Sequence, residues 1–215
     1  MALTTGFNPD EVQQSLNGVS NSYRDLMTAM CVQMKNKFID GMSSKWACKE
    51  AQNTFQLIKE AMDDTVVKVN TTFQSVFDAV KAAGDSWAAS TGTDFTVNAK
   101  QVIPYTFNVD CILENINGVR GVDKEQALQC ANSALKEISN SIDSALNAAV
   151  SSVNNCGFLG DGQSEALRNS LSTISNSITR LYSDISSSIT VAVSNTVSKY
   201  GDTAGKISAA FTVEG

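Results

Sequence analysis

The sequence predicts an all-α protein: two long antiparallel helical hairpins forming an elongated four-helix bundle, with an irregular connector between them. Three observations predict it. Apolar residues recur at intervals of three and four along four long stretches. Clusters of glycine, serine and asparagine punctuate the chain at Gly41-Met-Ser-Ser and at Asn154-Asn-Cys-Gly. Pro9 and Pro104 are the only prolines in 215 residues, and neither falls inside a periodic stretch.

The first helix opens on Asn8 as cap, with Pro9 at the first helical position and Glu11 placed to reach back to the Asn8 N–H in a capping box. Phe7 and Val12 fit a hydrophobic staple. The seam Val12, Leu16, Val19, Tyr23, Met27, Met30, Met34 and Phe38 then leads to a stop near Gly41. The second periodic stretch, Lys45 to Ser90, would make a helix about 65 Å long. Its stripe includes Phe55, Ile58, Met62, Val66, Val69, Phe73, Val80 and Trp87. Two amphipathic helices joined by so short a link pack against each other as a hairpin. Trp46 sits at the bend, either as a plug for the open end of the hairpin or as an exposed anchor for a partner.

Residues 91–121 change character. Asp94-Phe-Thr-Val and Gln101-Val-Ile-Pro-Tyr-Thr-Phe-Asn-Val read as an extended connector with a short strand pair, followed by a helical turn from Cys111 to Ile116 and a break at Gly118-Val-Arg-Gly. Asp123 then caps a third helix, with Gln126 three residues on and a seam through Leu128, Ala131, Leu135, Ile138, Ile142, Leu146, Ala149 and Val153. A fourth carries Leu167, Leu171, Ile174, Ile178, Tyr182, Ile185, Ile189 and Val193 and ends near Tyr200-Gly201. Residues 1–90 thus form a first hairpin and residues 122–215 a second that repeats it. Phe55 and Leu171, Phe73 and Ile189, and Phe95-Thr-Val and Phe211-Thr-Val all share an offset of 116.

Composition excludes several functions. A net charge of −6 without a basic cluster repels nucleic acid and anionic membranes. No window is apolar enough for a membrane span, and Met1–Asp10 lacks the charged and apolar regions of a signal peptide. The expectation is synthesis in the cytoplasm without a cleavable signal, with any export by a non-Sec route or as part of an assembled particle. Five cysteines without a Cys-x-x-Cys pair read as small apolar residues in helical seams, in a chain folded under reducing conditions. Histidine is absent, which removes Ser-His-Asp and Cys-His arrangements and the usual zinc sets. No enzyme, cofactor, metal or small-molecule substrate is expected.

Three motifs reduce to structure. Gly157 and Gly162 with four residues between them match phosphate-loop spacing, but Gln163 stands where lysine should be, and a helix rather than a strand precedes the loop. Glu60, Asp63 and Asp64 have no histidine to complete a di-metal site, so they form a solvated acidic face. Asn70-Thr-Thr is a glycosylation pattern inside a helix.

The two bends carry a resemblance. The first has Trp46-Ala-Cys48 followed by Lys-Glu-Ala; the second has Phe158-Leu-Gly160 followed by Asp-Gly-Gln-Ser-Glu-Ala-Leu. Each half resembles the Trp-x-Gly (WXG-like) family of helical hairpins exported by type VII secretion systems, which places that tripeptide between two long antiparallel helices. The resemblance implies a tandem copy supplying two hairpins in one chain and contact with protein partners, including self-association. The family's C-terminal Tyr-x-x-x-Asp/Glu signal has no match, since Ser186 follows Tyr182 and Ala204 follows Tyr200. Trp46, Phe158 and Gly160 are therefore the candidate partner contacts of a non-enzymatic interaction protein resembling a secretion substrate or adaptor. The alternative is a structural subunit of an extracellular or viral assembly, with Phe95-Thr-Val and Phe211-Thr-Val as arms that dock on neighbouring copies.

Overall fold

The computed structural model describes residues 6–99, 104, 115–154, 156–159 and 163–211, and it is all-α. The first helical run comprises α1 (Pro9–Met27), a π-helical segment (Thr28–Ile39) and α2 (Asp40–Ser43). Three unbroken helices follow, α3 (Lys49–Thr91), α4 (Lys124–Asn154) and α5 (Gln163–Phe211). The first run packs on α3 and α4, and α5 packs on the other side of both, so the four runs form a ring around one core.

Short strand pairs hold the ends together. β1 (Gly6–Phe7) pairs antiparallel with β4 (Phe158–Leu159), and β2 (Trp46–Ala47) with β3 (Gly121–Val122). The start of α1 thereby meets the second bend and the start of α4 meets the first. The two bends consequently lie at opposite ends of the bundle.

The buried sets show why the helices stay long and unkinked. In α3 the buried positions Phe55, Ile58, Met62, Val66, Val69, Phe73, Phe77, Val80, Gly84 and Ala88 follow a strict three-four-four spacing, an 11-residue repeat. In α5 the same spacing runs Leu171, Ile174, Ile178, Tyr182, Ile185, Ile189, Val193 and Thr196, all buried. Eleven residues span about three turns at 3.67 residues per turn, close to the natural pitch, so the stripe barely winds around its helix.

The first run departs from that rule, and its helix type changes with it. Leu26, Met30, Met34, Phe38 and Met42 are spaced by four, and each is fully buried. On an α-helix, steps of four drift about 40° each, so by Met42 the stripe would have turned about 160° away from the core. A π-helix holds more residues per turn and reverses the drift, which lets all five face inward. The steps of four were the signal; reading intervals of three and four as equivalent hid it.

Several expectations are corrected. Asn8 Oδ1 caps the N–H groups of Asp10 and Glu11 at 3.1 and 3.5 Å, but the Asn8 N–H donates to the Gly157 carbonyl at 2.8 Å, so Glu11 has no capping box to close. Phe7, expected to staple Val12, lays its ring on Trp87 and edge-on to Phe95, with centroids 6.2 Å apart in both pairs. α5 passes through Gly201 to Phe211, and Phe95 packs in extended backbone against Gly84, where an added Cβ would meet its ring at 2.7 Å. Phe95 thus lies outside a helix while Phe211 lies inside one, and Phe95 is no free arm. Most of the connector, including Cys111 and most of the expected strand pair, lies outside the described residues. Ile116, expected in a helical turn, instead exchanges backbone hydrogen bonds with Val119 at 2.8 and 2.9 Å across Asn117 (φ 52°) and Gly118 (φ 83°), a type I′ hairpin turn that Asn-Gly favours.

Gly157 tolerates no other residue. Its φ is +78°, and a Cβ there would lie 2.8 Å from the Asn8 carbonyl oxygen and 2.9 Å from the Val12 nitrogen.

The account of the π segment is testable by deletion. Removing the exposed residues Val32 and Asn36 together resets the seam from Leu26 to Met42 to spacings of four, three, three and four, which an α-helix keeps on one face. The double deletion is expected to fold with a melting midpoint within a few degrees of the parent, and a molten or unfolded product would show that the π segment is needed for another reason.

Candidate functional site

The structure separates Trp46 from Phe158. Trp46 is 0% exposed. Its ring lies 5.9 Å from Phe55, which lies 5.6 Å from Phe38, so it fills the end of the core where α2 gives way to α3. Its Nε1 has no hydrogen-bond partner. The plug geometry leaves this side chain no surface for a partner, which corrects its assignment as an exposed contact. Phe158 is half-buried at the opposite end, and Gly160 lies outside the described residues.

Around Phe158 the structure assembles a surface that sequence reasoning missed. Ala79, Ala82, Ala83, Ser86 and Trp87 of α3 face Ala166 and Leu167 of α5, with Phe158 between them at the bend. The groove continues along α3 through Val76, Thr72 and Lys68, and along α5 through Ser170, Ile174 and Ser177. Among the described residues lining the two parts, Lys68 is the one charged side chain. The groove on the other flank of α5, toward α4, is lined by Glu165, Arg168, Lys136 and Asp143 as well as asparagine and serine. Charge depletion with aromatic residues present is the composition of an interface centre, and of these two grooves the α3/α5 one has it.

The 11-residue spacing explains why. Gly84 and Ala88 occupy the core stripe, so Ala83 and Trp87, each one residue earlier, are turned by about 100° toward the flank. Trp87 counted as a seam residue when three and four steps were pooled; the repeat places it one position off. Its ring stacks on Phe7 at an interplanar angle of 21°, which braces it from the α1 side.

The rest of the molecule offers packing rather than chemistry. Glu60 accepts from Gln56 at 2.9 Å and Asp63 pairs with Lys59 at 2.8 Å; among the described residues no group of histidine, cysteine and carboxylate side chains could hold a metal ion. Asn70 accepts from the Tyr23 hydroxyl at 2.5 Å, tying α3 to α1. Cys31, Cys48 and Cys156 are buried and Cys130 is half-buried. Of these four described cysteines, Cys31 and Cys130 sit in helical runs, while Cys48 and Cys156 occupy the two bends at opposite ends of the bundle. Burial, with a smaller contribution from Asp63, pushes the Cys31 thiol up to about 12. Burial likewise raises the Tyr182 hydroxyl, which has no hydrogen-bond partner. Among the described residues no helix is long and apolar enough to cross a membrane.

No protein-family model, curated protein or solved structure matches the chain. The resemblance to Trp-x-Gly hairpins accordingly rests on the two bends.

Two measurements check this placement. Trp46→Ala is expected to lower stability by about 3–5 kcal/mol, and an unchanged denaturation midpoint would put the ring outside the core. In a Cys111→Ser background at pH 8, a thiol reagent should label Cys130 first and leave Cys31 protected until denaturant is added; rapid native labelling of Cys31 would mean that this part of the core opens.

Proposed function

We propose that this chain is a non-enzymatic helical interaction protein that receives the apolar face of a partner helix in the groove between α3 and α5. The observation that carries the reading is the groove itself: it is long, nearly free of charge, floored by alanine, serine and threonine that let a backbone approach closely, and anchored at one end by Trp87 and Phe158. Kinship with type VII secretion substrates or adaptors belongs to the same proposal and draws its support from Trp46-Ala-Cys48 and Phe158-Leu-Gly160 at the bends. A structural subunit of an extracellular or viral assembly is the second reading, favoured by the part of α5 that continues past the end of the bundle, where residues 201–207 are all exposed.

The test is co-purification of the chain with the products of the genes that flank its own, comparing wild type with Ala82→Arg. Ala82 is exposed on the groove wall, so the arginine should block docking while leaving the melting midpoint within about 1–2 °C. Loss of a stoichiometric partner from the variant is the expected result, and a partner retained by Ala82→Arg places the contact elsewhere. A membrane-bound secretion ATPase among the flanking genes favours the adaptor; capsid or tail proteins favour the assembly subunit.

A further inference from the structure

We infer that the groove between α3 and α5 receives the protruding end of α5 from a second copy of this chain, so that copies join head to tail. The inference rests on the groove being a helix-docking surface and adds the identity of the helix.

The bundle ends where Lys199 of α5 forms an ion pair with Glu50, in the first turn of α3. Tyr200 is half-buried there; α5 runs on from Gly201 to Phe211, about 16 Å of helix, and residues 201–207 are all exposed. Its apolar stripe does not stop with the bundle. The 11-residue repeat that buries Val193 and Thr196 places its next members at Tyr200, Ala204 and Ile207. Ala204 is exposed, and Ile207 is 52% exposed although its counterpart one repeat earlier, Thr196, is 1% exposed. The protrusion thus continues the stripe that packs inside the bundle, and among the described residues no helix covers it. A short stretch with Gly201 and Gly205 in it would not hold a helix in water by itself, so its stripe needs a covering surface.

The groove supplies one of matching kind and size. From Val76 to Trp87 it presents about 16 Å of apolar and small residues, the length of the protrusion. Within one molecule the two cannot meet, because Leu167 at the groove and Ile207 on the protrusion are separated by about 60 Å of continuous helix. They lie at opposite ends of the rod, the first-bend end and the second-bend end. A contact between unlike ends of identical molecules is heterologous and repeats without closing, so it builds a line of copies.

The experiment uses two variants that each spoil one end: Ile207→Asp on the protrusion and Ala82→Arg in the groove. In sedimentation velocity, the weight-average mass of the wild type should rise with concentration to at least twice the 22.9 kDa of one chain. Each variant alone should stay at one chain mass, with an unchanged far-ultraviolet spectrum. Mixed in equal amounts, they retain one intact protrusion and one intact groove between them, so they should form a two-chain complex and nothing larger. A wild type that stays monomeric at millimolar concentration overturns the inference, as does self-association that survives either substitution. Loss of the flanking-gene partner from Ala82→Arg together with a monomeric wild type would overturn self-docking while leaving the groove as a site for a foreign helix. A mixture of variants that forms complexes larger than two chains would place the contact on other surfaces.

Discussion

Each of the four helical runs has a single apolar stripe, and everything else in the molecule follows from the need to bury it along a length of tens of ångströms. A stripe that wound around its helix would lose its neighbour within a few turns. The 11-residue spacing in α3 and α5 avoids this by staying near the natural helical pitch. Where the spacing becomes four, between Leu26 and Met42, the backbone itself gives way and becomes π-helical rather than turn fully apolar side chains to water. The backbone thus adapts to the stripe, in keeping with the dominance of burial over the small differences between helix types. Methionine suits that segment, because Met27, Met30, Met34 and Met42 can adjust their unbranched side chains to an irregular helix.

Outward faces contribute little to holding the helices. Along α5 they are mostly serine, threonine and asparagine, which are indifferent helix formers. Many hydroxyls turn back onto their own helix: Ser170 donates to the Ala166 carbonyl, Thr173 to Asn169, Ser177 to Thr173, and Thr190 to Ser186, at 2.9 to 3.1 Å. A hydroxyl so occupied has no proton left to donate to a ligand, though its oxygen can still accept. The surface it leaves is polar in composition yet easy to desolvate, which suits a wall against which another helix is to lie.

Helix existence and the inward face were legible in the sequence because burial repeats with the period of the helix. Phe73, Val69 and Ile189 are where spacing puts them. Ends were less legible because they are decided by tertiary partners. Gly201 looks like a stop, but α5 continues through it to Phe211; Asn8 and Glu11 look like a capping box, but Gly157 takes the Asn8 N–H. Trp46 and Phe158 share a place in the sequence pattern and not an environment. One is sealed under Phe55 while the other edges a groove, a difference set by which strand and helix ends meet them. Trp87 was visible as a residue but not as a site, since telling core from flank requires resolving a single step in the repeat.

The strand pair that joins Gly6-Phe7 to Phe158-Leu159 ties the start of α1 to a turn made some 150 positions later. At ribosomal rates of about 5–20 residues per second, α1 waits about 8–30 s between its own synthesis and the arrival of Gly157. Until residues 124–154 are made, Leu16, Val19 and Leu26 can be covered on the α3 side but not by α4. The nascent chain is then a two-helix intermediate with one apolar flank open. A molecule of this design is most exposed to holdase chaperones, and to its own nascent copies on the same message, while the ribosome is between the two bends.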